Sequence, residues 1–190
     1  METYRYDRAT FCEAEHGLSF PPDPSSWEFC SIGGNLATNA GGLCCVKHGV
    51  TADYALGLEV VLADGEVLRT GRRTVKGVAG YDLTRLFVGS EGTLGIITEA
   101  TLSLRPAAPP PETVAATFAD AHNAAVGVAS AVRSGVVPSL LEFMDRTSVH
   151  AVNDSCRLGF GGEVGALVLA QSDASSVRPR RDRAPRGSAR

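Results

Sequence analysis

The sequence lacks the features that mark membrane-spanning, disulfide-rich and zinc-binding proteins. No run of eighteen apolar residues occurs in its 190 residues, and the polar start, METYRYDRAT, does not form a signal peptide. The five cysteines are odd in number and contain no C-x-x-C pair, which argues against a disulfide framework or a zinc site. We therefore expect a soluble, cytoplasmic protein without a membrane span.

Other missing patterns exclude further classes of protein. No G-x-G-x-x-G motif follows a predicted strand, which disfavours an isolated Rossmann NAD domain. His16, His122 and His150 lack the spacing of metal ligands, so no metal site is expected. The net charge is −3, and residues 178–190 hold six arginines and one aspartate, so the rest of the chain is more acidic still. An acidic body argues against nucleic acid as a partner.

The most informative segment that is present is SIGGNLATNAGG, residues 31–42. Gly33 and Gly34 allow left-handed or crowded backbone, while Asn35, Thr38 and Asn39 carry small polar side chains that cap a helix or bind a ligand. A short helix beginning near Asn35 would direct free N–H groups back over the glycines, a geometry that holds a phosphate. An ordinary glycine-rich loop is the alternative interpretation.

Local patterns predict an α+β protein with an antiparallel sheet. Asp64-Gly65 between two β-rich runs is a strong hairpin signal, because this dipeptide supplies the positive φ angles of a tight turn. The predicted helices cover residues 4–15, ending at Gly17, and residues 82–87, 120–133 and 146–152. The predicted strands cover residues 54–62, 66–70, 96–104, 113–118, 140–144 and 165–170.

Composition divides the chain into four parts. Residues 1–106 form a first domain, and the AAPPP stretch at 107–111 is a stiff linker. Residues 112–170 follow in a β-α-β order. Residues 171–190 are low in complexity and rich in arginine, so we expect a disordered tail.

Several spaced motifs together resemble one known family. They are PPDPSS at 21–26, SIGGNLATNAGG at 31–42, KHG at 47–49, GLEVVLADGEVLRTG at 57–71, GYDL at 80–83 and GSEGTLGIIT at 89–98. In this order they resemble the second half of the PCMH-type FAD-binding domain of the vanillyl-alcohol-oxidase superfamily. They look most like the FAD-linked 2-hydroxy-acid oxidases and dehydrogenases, such as the glycolate oxidase D-subunit, D-lactate dehydrogenase and 2-hydroxyglutarate dehydrogenase. The resemblance continues more weakly beyond residue 106, into the start of a ferredoxin-like cap domain, the C-terminal domain of FAD-linked oxidases.

The resemblance implies FAD as cofactor and hydride transfer from a 2-hydroxy acid to the flavin. It also implies four groups of FAD-binding residues. The loop beside the isoalloxazine and ribityl chain is Pro22, Asp23, Pro24 and Ser25. The segment along the ribityl and pyrophosphate groups supplies Gly33, Gly34, Asn35, Thr38, Asn39, Gly41 and Gly42. The pair near the flavin is His48 and Gly49, and the segment that closes over the adenosine supplies Glu91, Gly92, Gly95, Ile96 and Ile97.

Physical reasoning leaves alternatives for some of these residues. Asp23 also fits a solvated turn carboxylate. His48 also fits a histidine that packs and bonds to backbone. Glu91 also fits the cap of a turn. Cys44-Cys45 is interpreted as a pair of structural thiols, with covalent flavin attachment or redox work as the alternative.

Two family motifs are absent from the sequence. One is the glycine-rich phosphate loop of the first subdomain. The other is the H-x-G-D-G-N-x-H motif, which in the family supplies the metal site and the catalytic base. No catalytic residue is therefore assigned, and we expect a fragment that is inactive alone, with a complementing subunit as a candidate partner. The alternative is a non-catalytic module that binds a nucleotide or joins a partner subunit.

Overall fold

The computed structural model describes residues 16–74 and 76–174. These residues form helices and antiparallel sheets, so the predicted α+β class is confirmed. The helix predicted over residues 4–15 and residues 175–190 of the predicted tail lie outside the described residues.

The first part of the structure is built around a three-stranded sheet. Its elements are β1 (Leu18–Ser19), α1 (Ile32–Thr38), α2 (Cys45–His48), a 3-10 turn (Thr51–Asp53), β2 (Ala55–Val61), β3 (Val67–Gly71), α3 (Leu83–Phe87), β4 (Ile96–Leu102) and β5 (Arg105–Pro106). The strand order is β3-β2-β4, all antiparallel, and β1 pairs with β5. The predicted hairpin is confirmed, with Gly65 at φ 87° in the turn between β2 and β3.

One hydrophobic core supports this part. Alternate residues of β2, Leu58 and Val60, point into it and are almost completely buried. They pack with Leu36 of α1 and Phe87 of α3, so both helices are anchored on the sheet. The remaining buried members are Phe20, Ile32, Ala52, Tyr54 and Val88.

The second part, which we call the cap, has the predicted β-α-β start. Its elements are β6 (Glu112–Phe118), α4 (Ala121–Arg133), β7 (Leu140–Asp145), α5 (Arg146–Cys156) and β8 (Ala166–Ser172). The strand order is β6-β8-β7, so the last strand lies between the first two and runs antiparallel to both. Asp120 and Asp145 cap the two helices through their side chains.

The structure corrects several predicted boundaries. Helix α1 begins at Ile32 rather than near Asn35, because Ser31 is the N-cap and its Oγ accepts from the backbone N–H of Gly34 at 3.0 Å. Gly33 and Gly34 therefore lie inside the helix and do not use left-handed conformations. Strand β4 ends at Leu102 rather than at residue 104.

The cap also extends further than predicted. Helix α5 continues to Cys156 and ends at Arg157, which is left-handed at φ 53°. Strand β8 runs through Ser172, because its pairing with β6 continues to that residue. The predicted start of the tail at residue 171 is therefore wrong by at least two residues.

Candidate functional site

A cleft of about 820 Å³ lies between the first part and the cap. Residues 19–25 form the segment that we call the proline loop, and all of them except Pro22 line one wall of the cleft together with Trp27 and His48. The linker and Arg105 border it, and the cap contributes Ser139, Leu140, Gln171 and Asp173. The cleft thus brings together two predicted site segments, the proline loop and His48, with residues of the cap.

The proline loop is tied to the end of the glycine-rich segment. Asp23 Oδ1 accepts a hydrogen bond from the backbone N–H of Cys44 at 3.0 Å. Gly42 lies so close to the Asp23 backbone that a Cβ at this position would overlap it. Pro22 is among the most deeply buried residues of the described chain. The position of the loop therefore depends on Asp23 and on the absence of a side chain at Gly42.

His48 stands at the end of the short helix α2. Its carbonyl oxygen accepts a hydrogen bond from the Tyr54 hydroxyl at 2.7 Å. Burial raises the pKa of Tyr54, and the nearby Arg105 guanidinium opposes that shift. Gly49 follows at φ 74°, where a side chain would meet the Asp53 carboxylate. The backbone of this turn is thus fixed from the core of the first part.

The His48 ring is held from the other side by the cap. Its Nε2 lies 3.2 Å from Asp173 Oδ2, and Asp173 Oδ1 accepts from Lys47 Nζ. Burial of the carboxylate works to raise the pKa of Asp173, but the hydrogen bond and positive charge of Lys47 hold it below the usual value of 3.8. His48 therefore has a charged partner in addition to its backbone contact.

The two glycine-bearing segments, residues 31–42 and 89–95, lie side by side. The backbone N–H groups of Gly89 and Glu91 donate to the carbonyl oxygens of Leu36 and Ala37, both at 2.9 Å. Glu91 is exposed and left-handed at φ 51°, and Gly92 follows at φ 77°. This geometry fits the interpretation of Glu91 as a turn residue.

Several other predicted site residues make contacts that packing explains. Thr38 Oγ1 donates to the Gly34 carbonyl at 3.0 Å within α1. Asn39 ends this helix in a left-handed conformation and accepts from the Ala52 N–H at 2.9 Å. Gly41 lies against the Cys45 side chain.

The predicted site residues at the start of β4 are likewise explained by packing within the sheet and the core. A Cβ on Gly95 would lie 2.6 Å from Val60 Cγ1 and 2.9 Å from the Val61 carbonyl, so β2 requires glycine there. Ile97 packs against the core, whereas Ile96 is exposed. These residues do not line the cleft within the described chain.

Two buried polar atoms have no hydrogen-bond partner among the described residues, Asn35 Nδ2 and Ser139 Oγ. Asn35 is only 2% exposed, and Ser139 is on the cap wall of the cleft. A buried donor without a partner costs about 1–3 kcal/mol. Gly33, in the first turn of α1, has open space where a Cβ would stand. Neither Asn35 nor Gly33 lines the cleft, so helix α1 holds a buried amide donor without a partner among the described residues and an uncrowded glycine outside it.

Sequence reasoning missed the part of the cleft that the cap supplies. Ser139, Gln171 and Asp173 belong to no recognisable motif, and Asp173 lies within the segment predicted to be disordered. Arg105 and Trp27 were also not predicted, although aromatic and arginine side chains beside a proline-rich loop are a signal for a binding surface.

Neither a membrane-spanning helix nor a cluster of metal ligands occurs among the described residues. Over residues 16–74 and 76–174, no helix has the length and apolar character needed to cross a bilayer. Within the same ranges, no three His, Cys, Asp or Glu side chains converge as metal ligands. Cys44 is buried at the cleft and forms no disulfide, and the Sγ of Cys45 accepts from the Gly42 N–H.

Comparison with known proteins identifies both parts of the chain. Residues 11–71 match the FAD binding domain, and residues 109–184 match the C-terminal domain of FAD linked oxidases. Glycolate oxidase subunit GlcD of Bacillus subtilis is 45% identical over 87% of this chain and 35% of its own length. D-lactate dehydrogenase of Archaeoglobus fulgidus is 45% identical over 71% of this chain and 30% of its own length.

A solved structure agrees with these matches. An alkyldihydroxyacetonephosphate synthase superimposes with a TM-score of 0.65 at 26% identity, over 82% of this chain and 30% of that protein. The chain thus spans about a third of the length of the relatives it matches. With the two domains in sequence order and FAD indicated as their cofactor, the chain belongs to the family of FAD-linked oxidases.

Proposed function

We propose that the cleft between the first part and the cap accommodates the flavin ring of FAD, and that the protein serves the oxidation of a 2-hydroxy acid. The observation that carries this proposal is the meeting of the proline loop and His48 in one cleft of about 820 Å³. These segments lie more than twenty residues apart and were each predicted to flank the flavin. A cleft of this size is typical of cofactor sites.

The residues of α1 fit such a ligand. FAD carries many acceptor oxygens and nitrogens, and Asn35 Nδ2 is a buried donor without a partner among the described residues. Backbone N–H groups beside glycines and small side chains approach a pyrophosphate closely and hold it without formal positive charges. We assign Gly33 and Asn35 to the cofactor, with the proline loop and His48 along the ring.

Bound FAD would supply the acceptor for the hydride that leaves the hydroxyl-bearing carbon. The chain's own residues would orient that cofactor and exclude water from it. Relatives named glycolate oxidase subunit and D-lactate dehydrogenase support a small 2-hydroxy acid as the substrate class. The name of the first also supports a partner subunit. A cytoplasmic location remains a prediction from the sequence.

Thermal unfolding with increasing FAD tests the cofactor assignment. A ligand at about one hundred times its dissociation constant stabilises the folded state by about 2.7 kcal/mol, and at 2–4 °C per kcal/mol the melting temperature should rise by about 5–10 °C. NAD is the matched dinucleotide control and should produce no comparable rise. Equal shifts with NAD and FAD, or no shift at saturating FAD, would contradict the proposal.

A substitution in α1 distinguishes an effect on FAD affinity from an effect on the stability of the ligand-free protein. Asn35→Leu removes the unpartnered donor and keeps the branched shape of the side chain, so in the ligand-free protein the relieved cost of the buried donor should offset the crowding by the larger methyl groups. Its affinity for FAD should fall by about tenfold, the loss of one hydrogen bond of about 1.4 kcal/mol. Asn123→Leu, at the exposed start of α4, is the matched control and should bind FAD normally.

A further inference from the structure

Asp173 lies where the last strand of the cap meets the first part. It follows β8 directly, and its side chain is only 9% exposed. One carboxylate oxygen accepts from Lys47 Nζ, and the other lies 3.2 Å from His48 Nε2. Burial of an unpaired carboxylate is costly, and these two contacts offset that cost.

Both partners of Asp173 belong to α2, 125 and 126 positions earlier in the sequence. Helix α2 has only four residues, too few to be stable alone. On the side of the first part it is held by the Tyr54 hydroxyl, which donates to the His48 carbonyl. Asp173 is its charged anchor on the side of the cap.

We propose that Asp173 is a positioning residue that fastens α2 to the cap and thereby fixes the wall of the cleft and the orientation of the His48 ring. When the ring is neutral and Nε2–H donates to the carboxylate, Nδ1 is left as the acceptor. The ring then has one tautomer and one orientation. Asp173 positions the ring through contacts within the chain, whichever cofactor or substrate binds.

Amide hydrogen exchange of the full chain tests whether Asp173 holds α2 against the cap. Asp173→Asn keeps the size of the side chain and removes its charge. Amide exchange in residues 43–50 should become about tenfold faster, which corresponds to about 1.4 kcal/mol. Asp154→Asn, in an exposed position on α5 outside the ion pairs of the described residues, is the matched control and should leave this exchange unchanged. Unchanged exchange in Asp173→Asn would overturn the proposal.

Two further measurements distinguish positioning from a general effect on β8. The ring nitrogen-15 shifts of His48 should report Nε2 as the protonated nitrogen in the wild type and a mixture of tautomers in Asp173→Asn. Exchange of charges in the double variant Lys47→Asp with Asp173→Lys should restore protection that each single variant loses. A structural role of Asp173 in β8 alone would leave the His48 ring signals unchanged and would give no rescue, and either result overturns the proposal.

Discussion

The contact between Gly42 and the proline loop predicts opposite effects on stability for two alanine substitutions in residues 31–42. Gly42→Ala should destabilise the protein, whereas Gly33→Ala should not. In Gly42→Ala, the new Cβ would lie well under 3.0 Å from the carbonyl carbon and oxygen of Asp23. These are backbone atoms, so no side-chain rotation relieves the overlap. The proline loop has to move by about 1 Å to restore ordinary contact distances.

The loss of stability in Gly42→Ala depends on the hydrogen bond that this movement of the proline loop breaks. Asp23 Oδ1 accepts from the Cys44 N–H at 3.0 Å, and a displacement of about 1 Å takes that pair beyond hydrogen-bonding range. Overpacking costs about 1–3 kcal/mol, and a hydrogen bond to a charged acceptor contributes about 1.5–3 kcal/mol. Because the site is only partly buried, we expect a total loss of about 2–4 kcal/mol. At 2–4 °C per kcal/mol, the melting temperature should fall by about 5–15 °C.

Gly33→Ala is the matched control, because a Cβ at Gly33 meets no atom within 4 Å and the residue lies in a helix. Replacement of a helical glycine by alanine should stabilise the protein by about 0.5–1 kcal/mol. Thermal unfolding of both variants, followed by circular dichroism without ligand, makes the comparison. Equal melting temperatures in the two variants would refute the packing argument.

Substitutions in the core, at a helix cap and in the Asp53–Arg85 ion pair should each change the stability of the protein. Leu36→Ala removes a side chain that is 1% exposed and should cost about 2–5 kcal/mol in urea unfolding. Asp120→Ala removes the N-cap of α4 and should cost about 1 kcal/mol, whereas Asp120→Asn should retain most of the cap. The pKa of Asp53 is held below 3.8 by a hydrogen bond from the Val50 N–H and then by Arg85. Since a lowered folded pKa stabilises the protein above pH 3.8 and this stabilisation is lost as the pH falls through the folded value, Asp53→Asn should flatten the loss of stability below pH 3.8.

The sequence was sufficient where the determining contacts are local. Asp64-Gly65 predicted the hairpin because the turn needs a positive φ, and Gly65 has one. Asp82 and Asp120 predicted helix starts because each carboxylate accepts from an N–H three residues later. The start of α1 was missed although Ser31 caps it in the same way, because two glycines in the first turn disfavour a helix by propensity.

The cleft could not be predicted from local patterns, because its walls come from distant parts of the chain. Ser139 and Asp173 face the proline loop only after the cap has folded. The composition around residue 173 is polar and arginine-rich, which predicts disorder when it is averaged over a window. The Asp173 carboxylate nevertheless contacts both Lys47 and His48, and a composition average does not register these two contacts. A single long-range ion pair leaves no signal in composition.

The predicted cofactor residues separate into two groups once the contacts are known. Gly42 and Gly95 are glycine because neighbouring backbone leaves no space, and Asn39 is fixed by its contact with the Ala52 N–H. These residues would be required by the fold even without a ligand. Gly33 has open space around it, and Asn35 holds a buried donor with no partner among the described residues. Because no contact of the described fold requires glycine at 33 or satisfies the amide of Asn35, variants at Gly33 and Asn35 test the cofactor assignment more directly than variants at the other glycines.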